Sequence, residues 1–109
     1  MTYQKAASAD ELKDGEMKKA ILKDNVVLLV KFGGAFYALD NKCPHMGGSL
    51  ADGTLDGASV VCPRHGTAFD VRTGAVTKNG KLAFIPVKPA SARTYPVKVE
   101  GGDVLVGTD

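Results

Sequence analysis

The chain has 109 residues, 44% of them hydrophobic and 24% charged, which suits one domain with a modest core and excludes a disordered segment. The formal net charge of +2 is too small, and the lysines too scattered, to imply nucleic-acid binding. The longest apolar run, residues 26–30, is far short of a membrane span, and the N-terminal residues carry neither the apolar stretch of a signal peptide nor a twin-arginine motif.

Thirteen glycines and several β-branched runs point to short strands and tight turns, with no helix of ordinary length. Residues 3–6 read as a first strand. Ser8-Ala9-Asp10-Glu11 has the S-x-x-E form of a capping box and predicts a single helical turn over 9–12. Residues 17–22 and 26–31 read as strands joined at Asp24-Asn25. Gly33-Gly34 is a two-residue hairpin signal before a strand over 35–39. Residues 47–57 are too glycine-rich and irregular for a long strand and read as a loop. A short strand over 59–61 follows. Residues 67–71 and 74–77 read as a hairpin turning at Arg72-Thr73-Gly74. The stretch Leu82-Ala83-Phe84-Ile85 reads as a core strand of the base or as an apolar cover. Residues 95–100 and 104–107 form a last hairpin around Gly101-Gly102-Asp103. Propensity alone therefore predicts an all-β single domain over 1–109.

Two short motifs hold all the soft metal ligands of the chain. Cys43-Pro44-His45 and Cys62-Pro63-Arg64-His65 contain its only two cysteines and its only two histidines. Two thiolates and two imidazoles make a four-ligand set, enough for one metal centre if the pairs converge. Such a set also suits a structural zinc, but zinc motifs separate paired ligands by two to four residues and Cys-x-His fits them poorly. A disulfide between Cys43 and Cys62 would leave both histidines unexplained. A Cys/His nucleophile pair would lack an orienting acid and would not account for the doubled Cys-Pro.

The pattern C-x-H…C-x-x-H, with proline after each cysteine, resembles the Rieske iron–sulfur family. Gly47-Gly48 after the first motif and Gly66-Thr67-Ala68-Phe69-Asp70 after the second reinforce the match, which is strong over residues 40–77. Within that family the chain is most similar to the small soluble Rieske-type ferredoxins. The resemblance implies one [2Fe–2S] cluster, with Cys43 and Cys62 on one iron and His45 and His65 on the other. It implies a β-sandwich base built from both ends of the chain, with a small cluster-binding subdomain inserted at about 41–77. Two thiolates and two neutral imidazoles leave an oxidised cluster neutral, whereas four thiolates leave a dianion. An added electron therefore costs less, and such centres lie at about −150 to +300 mV against about −400 mV for plant-type ferredoxins.

Neighbouring residues carry further expectations. Pro44 and Pro63 each fix φ and withdraw an N–H donor, which stiffens the ligand loops, or they are ordinary turn prolines. Glycines 47, 48 and 66 let backbone N–H groups approach the sulfides, or serve as plain turns. A proline of a covering third loop is implied by the resemblance, with Pro86 first and Pro89 second as candidates. Lys42 and Arg64 flank ligands and would make the tip positive, or are ordinary solvated charges. Respiratory Rieske subunits have a membrane anchor and a disulfide near the cluster. Here the two cysteine positions look to be Met46 and Arg64, which excludes that bond and suggests a cytoplasmic carrier. The high-potential members also place a serine and a tyrosine hydroxyl where this chain has Thr67 and Phe69, so a lower potential is expected.

The function implied is one-electron transfer from an NAD(P)H-dependent flavoprotein reductase to a terminal oxygenase of the ring-hydroxylating dioxygenase type. No motif binds an aromatic substrate, and there is no room for a mononuclear-iron domain, so the chain is expected to be a carrier, not an enzyme. A monomer without nucleic-acid or membrane partners is expected. The alternatives are the small subunit of an assimilatory nitrite reductase and a redox-sensing binding module.

Overall fold

The computed structural model describes residues 1–44, 48–64, 66–78 and 91–108. Three antiparallel sheets account for its regular structure. The first joins both ends of the chain: β1 (Thr2–Ser8) pairs with β11 (Asp103–Thr108), which pairs with β10 (Val97–Glu100). The second runs in the order β2 (Met17–Leu22), β3 (Asn25–Phe32), β4 (Ala35–Asp40) and β9 (Thr94–Tyr95). The third is a meander of β5 (Thr54–Asp56), β6 (Ser59–Val61), β7 (Ala68–Asp70) and β8 (Val76–Lys78). Among the described residues there is no α-helix, and no helix long and apolar enough to cross a membrane.

The second sheet is packed on both faces. Successive strand residues point to opposite sides. Val27 and Leu29 of β3 join Ala20, Leu22 and Ala38 against Ala6, Ala7, Val104 and Val106 of the first sheet. Leu28 and Val30 join Leu39 against Leu50, Val60, Phe69 and Val71 on the side of the third sheet. A strand covered on both faces reads as a continuous apolar run instead of an alternating one, which is why residues 27–30 are all apolar and all 0% exposed. Each such side chain contributes about 1.5–3 kcal/mol on burial.

The hairpin at Gly33-Gly34 is as expected, with φ of +61° and +81° and Phe32 opposite Ala35. Four sequence expectations are corrected. The β2–β3 turn lies one residue earlier, at Lys23-Asp24, because Leu22 pairs with Asn25 and Lys23 takes φ +49°. Residues 9–12 form a turn and not a helical one. The Glu11 carboxylate does accept the Ser8 N–H at 2.9 Å, as in a capping box. The Lys13 N–H is taken by the Glu16 carboxylate at 2.6 Å instead of continuing a helical ladder. The described part of the glycine-rich 47–57 stretch, from Gly48 onward, holds a 3₁₀ turn, Leu50–Asp52, and the short strand β5. Residues 95–100 are two strands in two sheets: Tyr95 pairs with Ala38, and Val97 pairs with Val106. Pro96 stands at the crossing, where it lacks the N–H a ladder needs and its carbonyl accepts from Gly107 at 2.9 Å. The apolar stretch 82–85, with Pro86 and Pro89, lies outside the described residues.

Candidate metal centre

Each cysteine opens a loop closed by its own backbone. After β4 the chain passes through Asn41 and Lys42, and Lys42 bridges back to Ser49. The Cys43 N–H donates to the Gly48 carbonyl at 2.7 Å, and the Leu50 N–H donates to the Asn41 carbonyl at 2.7 Å. The second loop is the tip of the β6–β7 hairpin. Beyond the pair Val61–Ala68, the Cys62 N–H donates to the Thr67 carbonyl at 2.8 Å. The Gly66 N–H donates to the Cys62 carbonyl at 3.1 Å, with Gly66 at φ +78°, a conformation glycine adopts at no steric cost.

Both thiols are buried, Cys43 at 0% and Cys62 at 1% exposure, in one core cluster with Leu28, Leu39, Leu50, Val60 and Phe69. They are not joined in a disulfide. The two loops meet at Gly48. A Cβ on Gly48 would stand 3.3 Å from the Cys62 Sγ and 3.0 Å from the Arg64 Cγ. The same residue, through its carbonyl, holds the Cys43 N–H. Lys42, Pro44, Pro63 and Arg64 are exposed around this junction.

A further indication comes from Thr67, whose carbonyl holds the Cys62 N–H. It is 0% exposed, and its Oγ1 has no hydrogen-bond partner among the described residues. Leaving a buried hydroxyl unpaired costs about 1–3 kcal/mol, so a polar partner is called for at this place. Two buried thiols are soft donors that suit iron–sulfur chemistry. A thiol pair and an unpaired hydroxyl on adjoining loops therefore fit an iron–sulfur group. Of the four ligands expected from the sequence, Cys43 and Cys62 are brought onto adjoining loops of one core. His45 and His65 lie outside the described residues, as do Met46 and Gly47.

Asn41 is a residue the sequence reading missed. It is 6% exposed, and its side chain bonds Ser49 and the Ala51 N–H across the first loop. Its only local signal is an asparagine two residues before the first cysteine. At the opposite end of the third sheet, Asp70 closes the β7–β8 turn. A hydrogen bond from the Arg72 guanidinium, supported by the Arg72 and Thr73 N–H groups, holds its carboxyl below the usual carboxylate range, against the opposing effect of burial. Gly74 sits at φ +79° in that turn, where a Cβ would stand 2.0 Å from the Ala92 carbonyl oxygen.

Comparison with known proteins gives the family. The Rieske [2Fe-2S] domain family matches residues 2–96. The ferredoxin component of the alkene monooxygenase system of Xanthobacter autotrophicus (strain ATCC BAA-1158 / Py2) is 38% identical over 111 residues, covering 98% of this chain and 82% of that protein. The ferredoxin of carbazole 1,9a-dioxygenase from Nocardioides aromaticivorans IC177 superposes with a TM-score of 0.84 at 33% identity, covering 100% of both chains. A structure of reduced oxygenase with oxidized ferredoxin in carbazole 1,9a-dioxygenase matches with a TM-score of 0.83 at 30% identity, covering 95% of this chain and 100% of that one.

Proposed function

Because this chain belongs to the Rieske [2Fe-2S] domain family, we propose that it is the ferredoxin of an oxygenase system. It receives one electron from an NAD(P)H-dependent flavoprotein reductase and delivers it to a terminal oxygenase. It is an electron-transfer component and not itself the catalyst, as its ferredoxin relatives are. When bound, the [2Fe–2S] cluster supplies a one-electron iron couple at a potential raised by mixed ligation.

The residues proposed to hold the cluster are Cys43 and Cys62 on one iron and His45 and His65 on the other. The observation that carries this is the junction at Gly48, where the loops of two buried cysteines adjoin, together with the unpaired hydroxyl of Thr67, whose carbonyl accepts the Cys62 N–H. The chain's own part is to keep both sulfurs from water and to limit their movement. Backbone bonds close each loop, and Pro44 and Pro63 restrict the residues that follow the sulfurs. The cluster-binding subdomain is assigned to about 41–77, which takes in β5–β7 and most of β8. The carrier is proposed to be monomeric and cytoplasmic, and the alkene and carbazole oxygenase systems of its relatives indicate the kind of system it serves.

The test is chemical and then functional. Purified protein should contain about two irons and two acid-labile sulfides per chain. With a flavoprotein reductase and a terminal oxygenase supplied, it should sustain NAD(P)H-dependent substrate oxidation. Stoichiometric zinc without labile sulfide, in protein made under iron-replete conditions, overturns the cofactor. A loaded protein that a range of such oxygenases does not oxidise overturns the setting.

A further inference from the structure

Asn41 lies where the second sheet hands the chain to the first cysteine loop, and among the described residues it makes four hydrogen bonds. Its N–H donates to the Val26 carbonyl of β3 at 3.1 Å, and its carbonyl accepts from the Leu50 N–H at 2.7 Å. Its side-chain Nδ2 donates to the Ser49 Oγ at 2.8 Å, and its Oδ1 accepts from the Ala51 N–H at 2.9 Å. The first bond ties the residue to a strand whose residues 27–30 are wholly buried. The other three gather residues 49–51, the returning side of the loop that Cys43 opens. With the Cys43–Gly48 bond and the Lys42–Ser49 bridge, they join the two described sides of that loop.

An apolar residue would suit the burial of position 41 equally well, so packing alone does not account for an amide there. An amide offers a donor and an acceptor in one plane. Here it spans Ser49 and Ala51 at once. A sulfur that must serve two oxidation states is best held by a loop that does not shift when charge is added, and groups behind a metal ligand are what fix its place.

We propose that Asn41 is the positioning residue of the metal centre: it anchors the Cys43 loop to β3 and fixes the Cys43 sulfur in both oxidation states. The proposal rests on the reading of Cys43 as a cluster ligand. It follows that the amide, and not merely the fold's stability, sets how uniformly and how firmly iron is held.

The experiment compares iron-loaded Asn41→Ala, Asn41→Asp and Ser49→Ala with a control, Val106→Ala. Val106 is 0% exposed in the core between the first and second sheets, so its truncation lowers stability without touching the loop. The unsubstituted protein comes first. If it lacks labile sulfide and the EPR signal of a reduced mixed-ligand cluster, the ligand reading has failed, and not the role of Asn41. Given that signal, Asn41→Ala should broaden the EPR lines and release iron to a chelator roughly 10–100-fold faster, at a temperature where all variants stay folded. Ser49→Ala, which removes one bond, should move both readouts the same way by less, and it carries the test should Asn41→Ala not fold. Val106→Ala should move neither. Asn41→Asp keeps an acceptor for Ala51 and offers a second to the Ser49 hydroxyl, so it should restore line shape and retention while its added charge lowers the potential. Unchanged line shape and iron retention in Asn41→Ala and Ser49→Ala would overturn the proposal. So would equal losses in Val106→Ala, or failure of Asn41→Asp to restore either readout.

Discussion

Thr67→Val removes one hydroxyl and keeps the shape of the side chain. The residue is 0% exposed, and its Oγ1 has no partner among the described residues. The hydroxyl therefore either serves the bound cluster or is a standing cost. If it donates to a sulfur of the centre, the bond strengthens as an added electron raises the negative charge on sulfur, and it favours the reduced form. A difference of about 0.5–1.5 kcal/mol between oxidation states, the span of an ordinary net hydrogen bond, corresponds to roughly 20–65 mV for a one-electron couple. The potential of Thr67→Val should fall by that amount. The assay is voltammetry of both loaded proteins at one pH, paired with urea unfolding of the same samples. If the hydroxyl is idle, valine leaves the potential unchanged and raises stability by about 1–3 kcal/mol, the cost of the unpaired group. That pair of results would refute the reasoning.

Phe69→Tyr tests the same electrostatics with the opposite sign. The ring is 0% exposed, so the new hydroxyl must find a partner; bonded to sulfur, it should raise the voltammetric potential by roughly 20–65 mV. A loss of stability with no rise in potential would mean the ring is aimed elsewhere. Gly74→Ala should cost about 2–5 kcal/mol in chemical denaturation, combining a left-handed φ with overpacking against the Ala92 carbonyl. A change below about 1 kcal/mol would show that the turn gives way. Asp70 predicts an acid dependence. Its folded pKa lies below the unfolded value of about 3.9, chiefly through the Arg72 hydrogen bond. Its contribution is therefore complete above that value and is lost as pH falls through the folded one. Thermal unfolding of Asp70→Asn should accordingly show a shallower loss of stability below about pH 4 than the parent, and parallel curves would exclude the pair as a source.

The amino-acid sequence by itself determined what depends on residue chemistry and short spacing. The two Cys-Pro motifs with their histidines pointed to the family that the comparisons show, and Gly33-Gly34 named a turn that takes positive φ at both positions. The run over residues 26–31 announced a strand, but that Val27 to Val30 are buried on both of its faces came only with the two packed layers. Tertiary structure alone decided where backbone and side-chain groups found distant partners. Asn41 reads locally as one more polar turn residue; its bonds to Ser49, Ala51 and Val26 make it a joint, and they exist only once the loop has folded back on β3. Residues 95–100 read as one strand, yet Tyr95 and Val97 belong to different sheets, because β4 and β11 stand on either side of Pro96. Thr67 could be singled out in the sequence as a hydroxyl beside the second motif, but that it is buried without a partner among the described residues is visible only in the folded chain. Propensity and ligand chemistry act over a few residues, whereas which donor meets which acceptor is settled by contacts between segments far apart in the chain.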